Sequence, residues 1–179
     1  MEAIVETERL ILREVIEDDL MGFYELDSDP EVHRYLGNNP VTDIEQSKEI
    51  IANIRKQYQE FGIGRWAVID KETQDFVGWA GLKYEQMLRP ELKYYDLGYR
   101  LKQAYWGQGI ATEAALAALK YGFTELGLKE IFAAADVDHI ASNKIILKVG
   151  FKFIEIFEYE GEPVNWYRLG KEEWEAISQ

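Results

Sequence analysis

Cysteine is absent from the 179-residue chain. Its absence excludes disulfide bridges, thiolate nucleophiles and cysteine-ligated metal sites. Histidine is scarce too, with two in the whole sequence. Asp136, Asp138 and His139 lie close together in the chain, but so small a supply of histidine argues against a metal centre there, and none is predicted.

Basic residues are in the minority, because 20 Lys and Arg stand against 33 Asp and Glu and leave a formal net charge of −13. A surface this acidic repels phosphate groups, so binding to nucleic acid is not expected. The acidity either favours cationic acceptors such as amines or serves solubility alone. Long apolar runs are also lacking, since no stretch approaches the roughly 18 residues of a membrane span and the first residues show no secretion signal. These absences together predict a soluble cytoplasmic protein without a membrane partner.

Apolar residues are plentiful, at 47% hydrophobic and 13% aromatic, which predicts a folded chain. No internal repeat, low-complexity segment or linker divides the sequence, so residues 1–179 are expected to form a single mixed α/β domain. Hydrophobic periodicity places the elements. The predicted strands are 7–14, 65–70, 75–84, 94–101, 131–135, 151–159 and 164–169. The predicted helices begin near residues 16 and 29 and occupy 42–61, 111–126, 140–149 and 171–177.

The segment 94–114 is the most informative part of the chain. Alternating residues up to Leu101 predict a strand, and the alanine-rich stretch from Ala111 onward predicts a helix. Gly107 and Gly109 lie between them and permit a tight turn. Because the unpaired amides and positive dipole end of a helix bind anions, this is a candidate phosphate cradle. A plain strand-to-helix turn without a ligand is the alternative.

The loop in this segment matches neither common nucleotide motif. It lacks the Gly-Lys-Ser/Thr of a triphosphate site, and it lacks the third glycine and the spacing of a dinucleotide fingerprint. A pyrophosphate held by backbone amides alone is therefore the functional interpretation that fits best.

Five motifs follow one another along nearly the whole chain. They are Thr7–Arg13, Leu97–Leu101, Tyr105–Ala114, Ser142 with Gly150-Phe151, and Lys171–Trp174. In this order and at these intervals the chain resembles the Gcn5-related N-acetyltransferases (GNAT), and within them the RimJ/RimL-type branch of ribosomal-protein N-terminal acetyltransferases. The resemblance implies a mixed, mostly antiparallel central sheet with a splayed pair of parallel strands and flanking helices. It also implies acetyl-CoA as the cofactor.

The resemblance further implies where acetyl-CoA would bind. Its pantetheine arm would lie between the strand that ends at Leu101 and the strand 131–136, and its pyrophosphate would meet the amides of residues 107–112. The implied cofactor-binding residues are Tyr99, Arg100, Leu101, Trp106, Gly107, Gln108, Gly109, Ile110, Ala111, Thr112, His139 and Asn143. Two of them depart from the family pattern. Trp106 replaces a leading Gln or Arg, and His139 stands where relatives often carry an Asn, whose contact Asn143 can share.

Two residues are candidates for proton transfer. Asp96 lies on the strand that would carry the acetyl group, and partial burial would raise its pKa towards that of a useful base. The alternative is an acid that faces solvent or pairs with Arg100. By resemblance, Ser142 would protonate the leaving thiolate, and capping of the next helix is the alternative. The tyrosine that acts as thiol acid in other branches is replaced by Ile146.

Other acids and aromatic residues are assigned lesser roles. Glu113, in the first helical turn after the glycines, is expected to be a dipole or structural partner rather than a base. Tyr84 and Glu85 end the strand before this segment and are expected to line the acceptor cleft.

The motifs together predict an N-acetyltransferase that moves the acetyl group from acetyl-CoA to a primary amine by direct attack in a ternary complex. The family-implied acceptor is a protein or peptide N-terminal α-amine, and a small polyamine or amino compound is the alternative. A non-catalytic acyl-CoA-binding module is a further alternative, because Trp106, His139 and Ile146 depart from the family pattern. The aromatic C-terminal strands offer a surface for a homodimer.

Overall fold

The computed structural model describes residues 2–178, which form one eight-stranded sheet with helices on both faces. The strands are β1 (Val5–Glu6), β2 (Leu10–Glu14), β3 (Trp66–Asp70), β4 (Phe76–Glu85), β5 (Tyr94–Leu101), β6 (Glu130–Asp136), β7 (Lys152–Tyr159) and β8 (Glu162–Gly170). The α-helices are α1 (Leu20–Asp27), α2 (Ile44–Phe61), α3 (Ile110–Thr124), α4 (Ile140–Lys148) and α5 (Lys171–Ile177). Short 3₁₀ turns at Glu17–Asp19 and Gln103–Tyr105 precede α1 and α3.

The strands are ordered β1-β2-β3-β4-β5-β6-β8-β7, and every neighbouring pair is antiparallel except β5 and β6. This parallel pair meets at one register position within the described chain, Asp96 opposite Phe132. Strand β4 nevertheless pairs with β5 as far as Leu101, and β8 pairs with β6 as far as Asp136. The sheet therefore opens into a V with its apex at Asp96. The predicted mixed sheet with a splayed parallel pair is confirmed.

Different helices cover the two faces of the sheet. Helices α3, α4 and α5 pack on one face, here called the α3 face, where Ala114, Ala115 and Ala118 are fully buried and let α3 approach closely. Helices α1 and α2 pack on the other face, the α1–α2 face, around Phe23 and Ile51. Each large apolar side chain buried in these two cores contributes about 1.5–3 kcal/mol. On the α3 face, helices α3 and α4 pack against the strands that flank the V, β5 and β6.

The short helix predicted from Asp29 is not present in the described chain, because residues 30–36 form a series of turns. Their hydrogen bonds span three residues, as from the amide of Val32 to the carbonyl of Asp29, and Asn38 has a positive φ of 52°. The first helical turn is costly, and with Pro40 close behind the segment is too short for propagation to offset that cost. The other predicted elements agree with the structure to within a few residues.

No helix within residues 2–178 is long and apolar enough to cross a membrane. The same residues contain no group of three or more His, Asp or Glu side chains placed to hold a metal ion.

Candidate active site

The loop between β5 and α3 presents a helix start that no side chain caps within the described chain. Gly109 is the N-cap residue with φ of 77°, and Gly107 has φ of 73°. Both values lie in the left-handed region, where glycine carries no Cβ penalty. The first amides of α3, from Ile110 to Thr112, are therefore left for a ligand at the positive end of the helix dipole. This geometry fits a pyrophosphate.

Side chains from outside the loop hold it in place. Arg9, just before β2, donates from Nη1 to the carbonyl of Gln108 at 2.8 Å and from Nε to Glu113 Oε2 at 2.7 Å. Thr7 Oγ1 donates to Glu113 Oε1 at 2.7 Å. Burial opposes the charge of Glu113, but the hydrogen bonds from Arg9 and Thr7 outweigh burial and lower the pKa of this carboxyl. Glu113 is thus a structural partner, as predicted.

Two further loop residues use their side chains to shape the loop itself. Trp106 Nε1 donates to the carbonyl of Leu101 at 2.9 Å, which ties the loop to the end of β5. Gln108 Nε2 donates to the carbonyl of Ala104 at 3.0 Å. The proposed pyrophosphate site depends on the backbone amides of the loop and not on the side chains of Trp106 and Gln108.

Asp96 forms a buried ion pair with Arg65 at the apex of the V. Arg65 Nη2 lies 2.5 Å from Asp96 Oδ2, and Arg65 Nη1 donates to the carbonyls of Gly81 at 2.6 Å and Asp96 at 2.8 Å. Gly98 leaves room for the guanidinium, because a Cβ there would lie 2.7 Å from Arg65 Nη2. Burial raises the pKa of Asp96, although the positive charge of Arg65 acts in the opposite direction.

The predicted alternative in which Asp96 faces solvent or pairs with Arg100 is wrong. Asp96 is only 8% exposed, and Arg100 Nη1 donates to Asp27 Oδ1 at 2.8 Å. Residues four apart on a strand share a face but are separated by about 13 Å, which is too far for an ion pair. Because the guanidinium of Arg100 pairs with Asp27, it is the backbone of Arg100 that is available to the V.

Ser142 lies across the V from Tyr99, since Ser142 belongs to α4 and Tyr99 to β5. Their hydroxyl oxygens are 3.1 Å apart, and Tyr99 Oη also lies 3.1 Å from the carbonyl oxygen of Ser142. Burial raises the pKa of Tyr99 to about 12, so its hydroxyl keeps its proton at neutral pH. The predicted alternative that Ser142 caps α4 is wrong, because α4 begins at Ile140 with His139 at its N-cap position.

Comparison with known proteins identifies the family to which the chain belongs. The sequence pattern of the acetyltransferase (GNAT) domain matches residues 9–152. The chain is a Gcn5-related N-acetyltransferase. The enzyme is acetyl-CoA-dependent and RimJ/RimL-like.

Three relatives illustrate the relationship. The acetyltransferase is 34% identical to the N-acetyltransferase YoaA of Bacillus subtilis (strain 168) over 149 residues, which cover 83% of this chain and 82% of YoaA. Its fold is similar to that of RimL, a ribosomal L7/L12 alpha-N-protein acetyltransferase solved with coenzyme A (TM-score 0.78, 21% identity, 94% of this chain and 98% of that one). It is also similar to spermidine N-acetyltransferase from Vibrio cholerae, solved with CoA and spermine (TM-score 0.76, 19% identity, 94% and 99%).

In the acetyltransferase, His139 and Asn143 lie where β6 passes into α4. The ring of His139 stacks on Tyr35 with 4.7 Å between centroids, and burial lowers its pKa. Asn143 Nδ2 donates to the carbonyls of Asp136 at 2.9 Å and His139 at 2.8 Å, and Asn143 Oδ1 accepts from Tyr167 Oη at 2.6 Å. The Asn143 side chain therefore uses its hydrogen-bonding groups to fix the β6–α4 loop.

Tyr84 and Glu85 lie on opposite faces of β4. Tyr84 is in register with Tyr95, and the two rings pack 5.2 Å apart on the α3 face. Glu85 is in register with Tyr94, which shares the face of Asp96 two residues further along β5. The structure therefore brings Glu85, and not Tyr84, to the side of the sheet where Asp96 lies.

Sequence reasoning missed two arginines that hold the site together. Arg9 stands inside the Thr7–Arg13 motif, so its place in a motif was a usable signal even though its partner was not evident. Arg65 carries no motif. Its one trace in the sequence is the glycine at position 98, which leaves space for the guanidinium.

Proposed function

We propose that this acetyltransferase acetylates a primary amine by direct attack in a ternary complex, and that a protein or peptide N-terminal α-amine is the first candidate acceptor. The observation that carries the proposal is a buried carboxylate at the apex of the V. Asp96 is held there by Arg65, at the point where the two strands expected to flank the pantetheine arm meet.

The residues of the V and its loop fit acetyl-CoA. The uncapped amides of residues 110–112 would hold the pyrophosphate, and the backbone of β5 from Tyr99 to Leu101, which has no parallel partner within the described residues, would hold the pantetheine arm. When bound, acetyl-CoA supplies a thioester carbonyl that an amine can attack. The side chains of the chain itself must then orient the amine, remove a proton from it and provide one to the leaving group.

Asp96 is the general base in this proposal. Among the described residues the hydrogen bond to its carboxylate comes from Arg65 to Oδ2, so Oδ1 is available to accept a proton from the amine directly or through one water. Arg65 holds the carboxylate in one orientation and favours its ionised form, which burial alone would disfavour. Fixed orientation matters because positioning itself supplies much of the rate of such a transfer.

Ser142 is the proton donor for the leaving group. Its hydroxyl lies 3.1 Å from that of Tyr99, so a proton given up by Ser142 can be replaced from Tyr99 along this hydrogen bond. The contact joins β5 to the helix that follows β6, and this position beside the gap between the two strands supports the assignment. Ile146 stands where other branches carry a tyrosine and has no proton to donate. The proposed donor is therefore the hydroxyl pair of Ser142 and Tyr99.

Two acceptor classes fit the fold. RimL is by its name an acetyltransferase of a protein N-terminus, and the structure from Vibrio cholerae is by its name that of a spermidine N-acetyltransferase. The net charge of −13 favours positively charged acceptors of either class. A free small amine is therefore the second candidate.

A thiol-release assay with acetyl-CoA tests the proposal on a panel of peptides with free α-amines, small monoamines and small polyamines. Mass spectrometry of the products identifies the acetylated nitrogen. We expect turnover with at least one α-amine peptide and none with the same peptide blocked at its N-terminus. Tight coenzyme A binding without turnover on any amine would contradict the proposal and favour a non-catalytic binding module.

We further propose that the acetyltransferase is a cytoplasmic homodimer that associates through β7. This strand forms one edge of the sheet, and four of its large apolar side chains are at least 40% exposed: Phe153, Ile154, Ile156 and Tyr159. An exposed apolar edge is a site for pairing with another strand. Light scattering of the wild type and of Ile154→Lys tests this, with a dimer expected for the first and a monomer for the second. A monomeric wild type would contradict it.

A further inference from the structure

Four aromatic side chains form a continuous wall on the α1–α2 face of the sheet, beside Asp96. They are Tyr94, Phe132, Phe157 and Trp166, here called the aromatic wall. Trp166 is at its centre, with ring centroids 4.8 Å from Tyr94, 4.9 Å from Phe132 and 5.7 Å from Phe157. Phe132 is the register partner of Asp96, so the wall begins where the proposed base lies.

The wall is largely buried, with Trp166 only 2% exposed, but α1 and α2 contribute little to its cover. Helices α1 and α2 pack chiefly on β4, whereas α3, α4 and α5 cover the opposite face of β6 and β8. Arg89, from the loop 86–93 between β4 and β5, covers part of the wall. A loop is easier to displace than a helix, because far less apolar surface must be exposed when it moves.

Arg89 lies on the wall as a cationic ligand would. Its Cζ is 4.7 Å from the centre of the Phe157 ring and 5.2 Å from that of Trp166, within the range of cation–π attraction. Its Nη1 lies 2.5 Å from Glu155 Oε1. The chain therefore places one of its own cations in a site made of two aromatic faces and a carboxylate.

Further groups around the wall suit a cation that carries N–H donors. Three carboxylates share the face of the wall as register partners of its residues: Glu85 beside Tyr94, Asp96 beside Phe132 and Glu155 beside Trp166. Within the described chain, Glu85 also pairs with Lys83 and Asp96 with Arg65. Tyr94 is 5% exposed, and its hydroxyl has no hydrogen-bond partner among the described residues. An orphaned buried hydroxyl is costly unless a ligand or water satisfies it.

We propose that the aromatic wall binds a second cationic group of a dibasic acceptor, and that Arg89 occupies this position until the acceptor displaces it. The inference rests on the proposed acetyl transfer and adds the acceptor class to it: one nitrogen at Asp96 and a second positive charge on Phe157 and Trp166. A free diamine and a peptide with an N-terminal α-amine and a basic side chain share this chemistry.

Calorimetry on the protein saturated with coenzyme A tests the proposal without requiring turnover. The probes are 1,4-diaminobutane against butylamine, and the peptide amide Ala-Lys against Ala-Ala. We expect the dibasic member of at least one pair to bind more tightly than its monobasic match. Arg89→Ala frees the wall and should increase that preference by about three- to tenfold, whereas Arg89→Lys keeps a cation there and should stay close to the wild type.

A second variant shows whether the gain comes from the wall. In the Arg89→Ala background, Phe157→Leu should remove the added preference, and Phe157→Tyr, which keeps a π face, should retain it. Thermal unfolding of each variant verifies that it is folded. The probe pair whose dibasic preference increases in Arg89→Ala identifies the acceptor as a diamine or a peptide.

Equal binding of dibasic and monobasic probes, in both the wild type and Arg89→Ala, would overturn the inference. Thiol release is measured separately on the same proteins. A dibasic preference without turnover would support the binding site and contradict the acetyl transfer. Turnover without a dibasic preference would support the acetyl transfer and contradict the binding site.

Discussion

The two sides of the V are proposed to recognise their ligands by different means. On the cofactor side, the loop 107–112 and the end of β5 offer backbone groups whose positions depend on glycine conformations and on one helix start. On the acceptor side, Asp96, Arg65 and the aromatic wall offer side chains that come from five different strands or the segments beside them. Backbone recognition is encoded locally in the sequence, whereas side-chain recognition depends on register between distant strands. Substitutions should therefore separate cofactor affinity from acceptor chemistry.

The largest expected effect is on the acceptor side, from Arg65→Met. Removing one partner of a buried ion pair leaves an uncompensated carboxylate, which should lower the free energy of unfolding by about 3 kcal/mol. Loss of the positive charge also raises the pKa of Asp96 further. Because the base works in its ionised form, the rate rises with pH through this pKa, and the acid limb of kcat/KM should move to higher pH.

Denaturant unfolding and a pH–rate profile measure the two effects of Arg65→Met. Arg65→Lys is the matched control and should shift the acid limb less, since it keeps a cation near Asp96. An acid limb that stays in place in the methionine variant would contradict a role for Arg65 in setting the base.

The next effect is on the cofactor side, from Gly109→Ala. An alanine at φ of 77° costs about 1–2 kcal/mol and pulls the first amides of α3 out of place. Gly127→Ala is the control, because Gly127 also has a positive φ, of 64°, but lies beyond the other end of α3. Both variants should lose stability, and only Gly109→Ala should bind coenzyme A more weakly in calorimetry. Equal affinities would mean that the loop does not hold the cofactor.

A smaller effect is expected where the two sides meet, from Ser142→Ala. The maximal rate should fall about tenfold, less than for a sole acid catalyst, because Tyr99 or a water can supply the proton. Coenzyme A affinity should hardly change. Ser47→Ala removes another buried serine hydroxyl, on α2, and should leave the rate unaltered. A thiol-release assay measures the maximal rates of both variants. Equal rates for Ser142→Ala and Ser47→Ala would contradict a role for Ser142 in proton transfer.

The smallest effect returns to the cofactor side, from Glu113→Gln. Weakening the contact to Arg9, a partly exposed pair, should cost about 0.5–1 kcal/mol and raise the Kd for coenzyme A two- to threefold. Glu45→Gln, which breaks an exposed pair with Lys48 on α2, is the control and should leave this Kd unchanged. Loss of rate without loss of affinity in Glu113→Gln would assign Glu113 to the chemistry instead.

The cofactor side of the V could be predicted from the sequence more completely than the acceptor side. The glycine loop, the helix after it and the positions of the strands along the chain could be predicted, because hydrophobic periodicity and turn residues act locally. The partner of Asp96 could not. Arg65 lies 31 residues away, and it reaches Asp96 only because β3, β4 and β5 are adjacent in the sheet. The wrong alternative was a pair between Asp96 and Arg100, which lie four residues apart. Side chains at that spacing are neighbours in a helix but not in a strand.

The remaining miss concerns the capping role considered for Ser142. A serine before an apolar stretch predicts a cap, but α4 starts at Ile140, in agreement with its predicted bounds, so Ser142 lies within the first helical turn. Asn143 binds the carbonyls of Asp136 and His139 and so holds the turn that precedes α4. From its place in the first turn, the Ser142 hydroxyl lies 3.1 Å from that of Tyr99.

Asp96→Asn tests most directly whether the V separates cofactor binding from catalysis. Coenzyme A affinity and the maximal rate of thiol release are measured on one preparation, beside Asp19→Asn, which alters another buried, arginine-paired carboxylate. We expect Asp96→Asn to lower the maximal rate by roughly a hundredfold or more with the Kd for coenzyme A unchanged, and Asp19→Asn to alter neither. A full rate in Asp96→Asn, or a loss no larger than that of Asp19→Asn, would contradict the assignment of the base.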